Sequence, residues 1–234
     1  MSSGTARRGL IWAVAGVLVL LIAIVAIIFS ATAGGPGAQP TPPPQRSATP
    51  NSSAPTTSSV VDPTVAQYGW MAEPITTDRD EYIRSALAAA STFDPSKSTR
   101  DKFLNYLGTW FTPDTRRTSS ADRAHATQLY LGELSSSVVL PDDQWSEMRS
   151  EQSSVAARVT GPIKYVAVPS DPGGMVIGTA DVTLTYHQGN VTSQDHARVS
   201  VQVLCGEGSV PAPHSSQQAG DCKVIRYFGT AVEE

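Results

Sequence analysis

Residues 175–205 read MVIGTADVTLTYHQGNVTSQDHARVSVQVLC, and their pattern decides the fold class. In the first half Ala180, Val182, Leu184 and Tyr186 fall on every second position; in the second half Val199, Val201, Val203 and Cys205 do the same. A period of two places alternate side chains on opposite faces of an extended strand. Between the halves, HQGN (187–190) has the residues of a turn joining antiparallel strands. Upstream, SSVAARVTGPIKYVAV (153–168) is a further strand, broken at Gly161-Pro162 and followed by the turn residues DPGG (171–174). Downstream, CKVIRYFGTAV (222–232) completes a set of four. The alternation predicts a sheet with one buried face and one wetter face.

The residues before this set read as helices. In TTDRDEYIRSALAAASTFD (76–94), Tyr82, Ile83, Ala86, Leu87 and Ala90 recur at helical spacing, and Thr77 with Asp80 forms a weak capping box. A second helix starts near Thr99, carries Phe103, Leu104, Leu107, Trp110 and Phe111, and stops at Thr112-Pro113-Asp114. A third starts at Ser119 with Asp122 behind it and carries Ala126, Leu129, Tyr130 and Leu134. LPDDQWSEM (140–148) is a short helix entered through Pro141, with Asp142 and Asp143 in its first turn, where the helix dipole favours acids. Trp110, Phe111 and Trp145 are expected in the core. Helices followed by four antiparallel strands make an α+β roll, with a curved sheet wrapped on helices.

The N-terminus sets the compartment. Residues 10–29, LIWAVAGVLVLLIAIVAIIF, carry no charge. At about 1.5 Å per residue they span roughly 30 Å, the thickness of a bilayer core. Arg7 and Arg8 precede the run and no basic residue follows until Arg46, which orients residues 1–9 to the cytoplasm and the remainder outside. ATA at 31–33 resembles a signal-peptide cleavage site, but the apolar run is longer than a signal peptide's. An uncleaved transmembrane helix over 10–30 is therefore expected, and with it a single-pass cell-membrane protein. Residues 31–66 are dense in Pro, Ser and Thr without apolar periodicity, and read as a disordered linker. Residues 67–234 are one domain's length.

Outside the cytoplasm thiols oxidise. The two cysteines of the chain, Cys205 and Cys222, end one strand and begin the next, on either side of GEGSVPAPHSSQQAGD. They read as a disulfide closing a floppy loop and fixing the register of the last hairpin. Two free thiols are the alternative; a metal site would need more ligands than this pair and His214. The loop itself is a candidate partner contact.

Of 17 Lys+Arg and 21 Asp+Glu, the domain holds all but Arg7, Arg8, Arg46 and Asp62, which leaves it at net −6. No basic stripe exists, so direct nucleic-acid binding is not expected. His125, His187, His196 and His214 form no helical ligand pair; His187 and His196, with Asp195, flank one turn and are the nearest thing to a metal or acid/base set. CGEGSV lacks the features of a phosphate loop, and no nucleophile elbow is present. No catalytic, metal or cofactor residue is assigned.

The segments WMAEPITTDRDEYIRSALAAASTFDP (70–95), YLGTWFTPDTR (106–116) and RVSVQVLCGEGSVPAP (198–213) resemble proteins of actinobacterial conjugative elements. The order of helices and strands is similar to the nuclear transport factor two-like roll. The layout of cytoplasmic stub, anchor, linker and roll resembles the TcpC family and the bitopic VirB-type scaffold subunits of type IV secretion systems. The resemblance runs from Trp70 to the C-terminus, in pattern rather than in any diagnostic motif. It implies a non-enzymatic scaffold that contacts other subunits of a membrane complex and can form homo-oligomers, with no cofactor. Mce-associated proteins share the layout, which gives the alternative of an accessory domain binding a lipid or small molecule.

Overall fold

The computed structural model describes residues 59–233. The predicted stub (1–9), transmembrane helix (10–30) and most of the linker lie outside the described residues. A 3₁₀ turn, Pro63–Tyr68, is followed by α1 (Arg79–Ala90), α2 (Arg100–Gly108) and α3 (Ser120–Glu133). A π turn, Leu134–Val138, continues α3, and α4 (Asp142–Ser150) follows. Four strands come last: β1 (Ser153–Val166), β2 (Met175–Gln188), β3 (Val191–Leu204) and β4 (Lys223–Phe228). They form one antiparallel sheet in the order β1-β2-β3-β4. This is the expected α+β roll of helices packed on a four-stranded sheet.

The helices begin where short polar side chains cap them. Thr99 accepts from the Lys102 amide and Ser119 from the Asp122 amide. In α1 the cap lies one residue later than Thr77: Asp78 accepts from the Glu81 amide at 3.0 Å. Asp suits this place because its charge also meets the positive end of the helix. Tyr82, Ile83, Ala86, Leu87 and Ala90 are all buried, as their spacing predicts.

The hairpin β2–β3 is paired along its whole length, from Met175↔Leu204 to Gln188↔Val191, around Gly189 and Asn190. β1 does not stop at Gly161-Pro162. It runs on through a register shift between Thr160 and Lys164, with Gly161 at φ +75° and its carbonyl accepting from Arg84 at 2.9 Å. The extra residues are taken up as a bulge instead of ending the strand.

Burial does not alternate by face as the sequence suggests; it changes along the strands. At the Met175 end both faces are covered. Val176, Ala180, Val182, Val201 and Val203 meet the helices. Met175, Ile177, Leu204 and Ile225 form a second cluster with Tyr130 of α3 and Val232 of the C-terminal tail. At the other end residues 191–196 of β3 are exposed throughout. β4 pairs only with residues 200–204, so no strand among the described residues continues the sheet beside that upper edge.

Between sheet and helices the space is filled by aromatic rings. Phe93, Phe103 and Trp145 meet with centroids 4.8 to 5.6 Å apart, Trp70 stacks on Tyr106 at 4.8 Å, and Trp110 is fully buried beside Tyr82. Trp110 and Trp145 are core residues, as expected, and Phe111 packs partly buried against them.

Two further expectations change. Residues 59–66, read as the end of the linker, belong to the fold. The Val61 amide donates to the Glu73 carbonyl and the Ile75 amide to Ser59. Asp62 caps the 3₁₀ turn and Val65 is buried. The Pro/Ser-rich composition around them conceals a short apolar segment. In α3, Leu129 of the predicted core stripe is 59% exposed, while Ala126 and Leu134 are buried.

Gly178 sets how closely α1 approaches the sheet: a Cβ there would lie 2.8 Å from two Ile83 side-chain atoms and 3.1 Å from Ile163. Gly178→Ala is expected to cost about 1–3 kcal/mol by overpacking, and adding Ile83→Val to recover part of the loss, in urea denaturation. A Gly178→Ala cost under about 0.5 kcal/mol would show that this contact does not limit the packing.

Candidate functional site at the tied loop

Cys205 directly follows β3 and Cys222 directly precedes β4. The pair Leu204↔Lys223 closes the ladder, which brings the next two residues face to face. The cysteines are bonded, with Cα atoms 4.0 Å apart. The cross-link closes the base of loop 206–221.

The loop is not floppy. Ser209 and Gln217 are buried. The Val210 amide donates to Thr112 Oγ1 at 2.8 Å, Ala212 to Gln217 Oε1 at 2.9 Å, Gly220 to Ser209 Oγ at 3.0 Å, and Gln218 to Asp221 at 2.7 Å. The Cys222 amide donates to the Thr76 carbonyl at 2.8 Å. Gly208, at φ +93°, lets the chain pass Thr115, whose Cγ2 would lie 2.7 Å from an added Cβ. Composition made the segment look loose, but short polar side chains can satisfy a loop's backbone from within.

What anchors the loop is a buried ion pair. Lys223 and Glu73 are each 1% exposed, with Nζ 2.8 Å from Glu73 Oε1. Lys223 also donates to the Thr109 carbonyl at 3.0 Å and to Gln217 Oε1 at 3.3 Å. Glu73 Oε1 accepts from Tyr82 Oη at 2.6 Å and Gln217 Nε2 at 3.2 Å. Five segments thus meet at one ion pair: the stretch before α1, α1 itself, the end of α2, the loop and β4. Burial pushes the Glu73 carboxyl up against the lowering effect of Lys223. Burial pushes the Lys223 ammonium down against the raising effect of Glu73. Burial and then the Glu73 charge hold the Tyr82 hydroxyl well above its ordinary range, so it stays a donor.

A cavity of about 330 Å³ adjoins Glu73, lined by Asp62, Val65, Tyr106 and His214 among others. A lysine, a carboxylate and a tyrosine beside a cavity invite an acid/base reading. Here Lys223 and Tyr82 spend their donors on Glu73 Oε1, Gln217 and the Thr109 carbonyl, so the arrangement acts as a clasp, with Glu73 Oε2 left without a hydrogen-bond partner among the described residues. Among the described residues, no three His, Cys, Asp or Glu side chains are grouped to hold a metal ion.

The other candidates stay apart. His187 faces Thr192, and His196 faces Thr183, four rows along the hairpin. Asp195 accepts from the His196 amide at 2.7 Å. His125 lies on α3 and His214 at the loop cavity. Asp142 and Asp143 occupy the first turn of α4, with Asp142 3.9 Å from Arg100. Sequence reasoning missed Glu73, Lys223, Tyr82 and Gln217 as a set. The available signal was a lysine opening the apolar strand CKVIRYF and a glutamate between Ala72 and Pro74.

No protein-family model matches the chain, and no curated protein matches it. Solved structures with some likeness include an IcmL-like type IV secretion system protein from Legionella pneumophila. It is 13% identical, covers 67% of this chain and 95% of its own, and has a TM-score of 0.39. Another is CagV, a VirB8 homolog of the type IV secretion system of Helicobacter pylori strain 26695, 11% identical, covering 60% and 92%, with a TM-score of 0.34.

Lys223→Met alone is expected to cost about 3 kcal/mol, because it strands a buried carboxylate, and Glu73→Gln combined with it to cost less than the two single changes summed. The folded state already holds the Glu73 proton more tightly than the ordinary value of 4.5 implies. The contribution of Glu73 to stability therefore falls as pH rises above that value. Without Lys223 the carboxyl rises further, so the deficit of Lys223→Met should shrink as pH is lowered from about 7 to about 5. Urea denaturation at several pH values checks both the coupling and the slope.

The oxidised protein is expected to show no titratable thiol before reduction, and Cys205→Ala with Cys222→Ala to lose about 3 kcal/mol. Thiol titration under denaturing conditions and denaturant unfolding measure the two effects.

Proposed function

We propose that the protein is a structural subunit of a type IV secretion-like complex that transfers DNA in conjugation, and that it works by protein–protein contacts. In this reading residues 10–30 anchor it in the cell membrane with the N-terminus in the cytoplasm. The linker holds the folded domain outside, where the Cys205–Cys222 bond forms.

The observation that carries the reading is the filled interior of the roll. A ligand-binding or isomerase-like use of this architecture needs space between sheet and helices. That space is occupied by Tyr82, Phe93, Phe103, Trp110, Trp145 and Tyr227, all buried. The cavity beside the loop, about 330 Å³, mixes Val61, Val65, Tyr106 and Pro213 with Asp62, Glu73, His214 and Ser215, and the Glu73 carboxylate in its wall disfavours a lipid tail. The alternative, a lipid-binding accessory domain, would need Trp110 and Phe103 to move out of the core. What remains is a rigid body that offers surfaces.

Affinity purification of the full-length protein from its own membranes in mild detergent, after in-cell cross-linking, tests this. Recovery of secretion ATPases and polytopic channel subunits is expected. Recovery of lipid-transport proteins, or of the protein alone with a bound lipid, would overturn the proposal.

A further inference from the structure

One helix lacks the cover its sequence anticipates. Among the residues of α3 only Ala126 is buried, and Leu129, three positions on, stands 59% exposed. Beside them lies a groove of about 680 Å³ between α3, the turn before it and Arg226 of β4. Ala126, Leu129 and Tyr130 give it an apolar floor, and Arg116, Arg117 and Arg226 outnumber the two acids of the lining, Asp122 and Glu133, of which Glu133 is taken by Arg226.

The three arginines are not equally committed. Asp114, whose carboxylate is fully buried, takes Arg116 at 2.6 Å and Tyr130 at 3.2 Å. Burial would raise that carboxyl, but hydrogen bonds from Arg116 outweigh it and hold it low and charged. Arg226 pairs with Glu133 at 2.5 Å and lies 5.3 Å over the Tyr130 ring. Arg117 is left 4.0 Å from the occupied Asp114 oxygen, with its side chain 52% exposed. That is outside hydrogen-bond reach. A half-exposed guanidinium beside an exposed leucine and a tyrosine ring has the composition of an interface centre.

We infer that this groove docks a segment of another protein that carries an apolar side chain next to one or more carboxylates. The apolar side chain sits on Ala126 and Leu129, and a carboxylate takes the Arg117 guanidinium. The charge selects the occupant. Residues 31–61 of this chain contain no acid and one arginine, so its own linker is the wrong sign. Glu233, next to last in the sequence, is held by Arg198 at 2.7 Å. The inference rests on the reading that the domain acts through protein contacts, and it assigns those contacts a place.

The test uses the full-length protein in its own membranes. Leu129→benzoylphenylalanine is photolysed beside Gln128→benzoylphenylalanine, an exposed neighbour on another side of the helix. The expected result is an adduct from position 129 only, with Asp or Glu within a few residues of the linked site in the partner peptide. Its yield should fall about tenfold with Arg117→Glu and hold with Arg117→Lys. Because Arg117 stands 4.0 Å from the Asp114 carboxylate, Arg117→Glu also sets like charges together, so the neutral Arg117→Gln should lower the yield in the same direction with the melting temperature nearly unchanged. No adduct, an adduct to lipid or to a second copy, a linked peptide without acids, or a yield indifferent to Arg117→Glu would each overturn the inference. Retained co-purification with channel subunits alongside any of these would mean that the groove fails while the scaffold reading stands.

Discussion

The contact between Lys223 and Glu73 is the constraint around which the domain closes. Two opposite charges at 1% exposure are costly to take from water, and further hydrogen bonds must offset part of that cost. That requirement draws in Tyr82, Gln217 and the Thr109 carbonyl, and so aligns the chain's entry into the domain, two helices, the loop and the last strand. The Cys205–Cys222 bond sits one residue from Lys223 and holds the loop's two ends together while Gln217 holds its middle. The cross-link limits where the loop can go in the unfolded chain, and the ion pair decides where it goes in the folded one.

Around that clasp the sheet divides along its length. Where β4 is present, β2 and β3 are covered on both faces, by α1 and the aromatic rings on one side and by Tyr130 and Val232 on the other. Beyond residue 200, toward the hairpin turn, β3 has no strand on its outer side among the described residues. A bare edge invites further strands. The Asp195 carboxylate takes the His196 amide at 2.7 Å. The described residues leave both this edge and the α3 groove uncovered.

Much of this was legible in the sequence where the signal is local and periodic. The alternation through Val199, Val201 and Val203 set the hairpin register, Thr99 and Ser119 marked their helices, and the cysteines at two strand ends implied their pairing. The rest depended on contacts between segments far apart. Glu73 and Lys223 are separated by 150 positions, and each alone looks like an ordinary surface charge. Loop 206–221 looked loose because Gly, Pro and Ser report backbone freedom, and nothing local shows that Gln217 reaches Glu73. Leu129 fitted a core stripe because helical period says which residues share a face, not whether the domain covers it. Residues 59–66 were lost in the composition of the linker that precedes them.

The most direct test of this account is amide hydrogen exchange, by mass spectrometry, across residues 206–222 in the oxidised protein and in Lys223→Met. The account predicts that the amides of Val210, Ala212, Gly220 and Cys222 exchange slowly in the parent, and that those of Val210 and Ala212 become fast in the variant with the disulfide intact. Exchange at unfolded-chain rates in the parent would contradict it. So would protection unchanged by loss of Lys223, which would leave the disulfide alone as the loop's restraint.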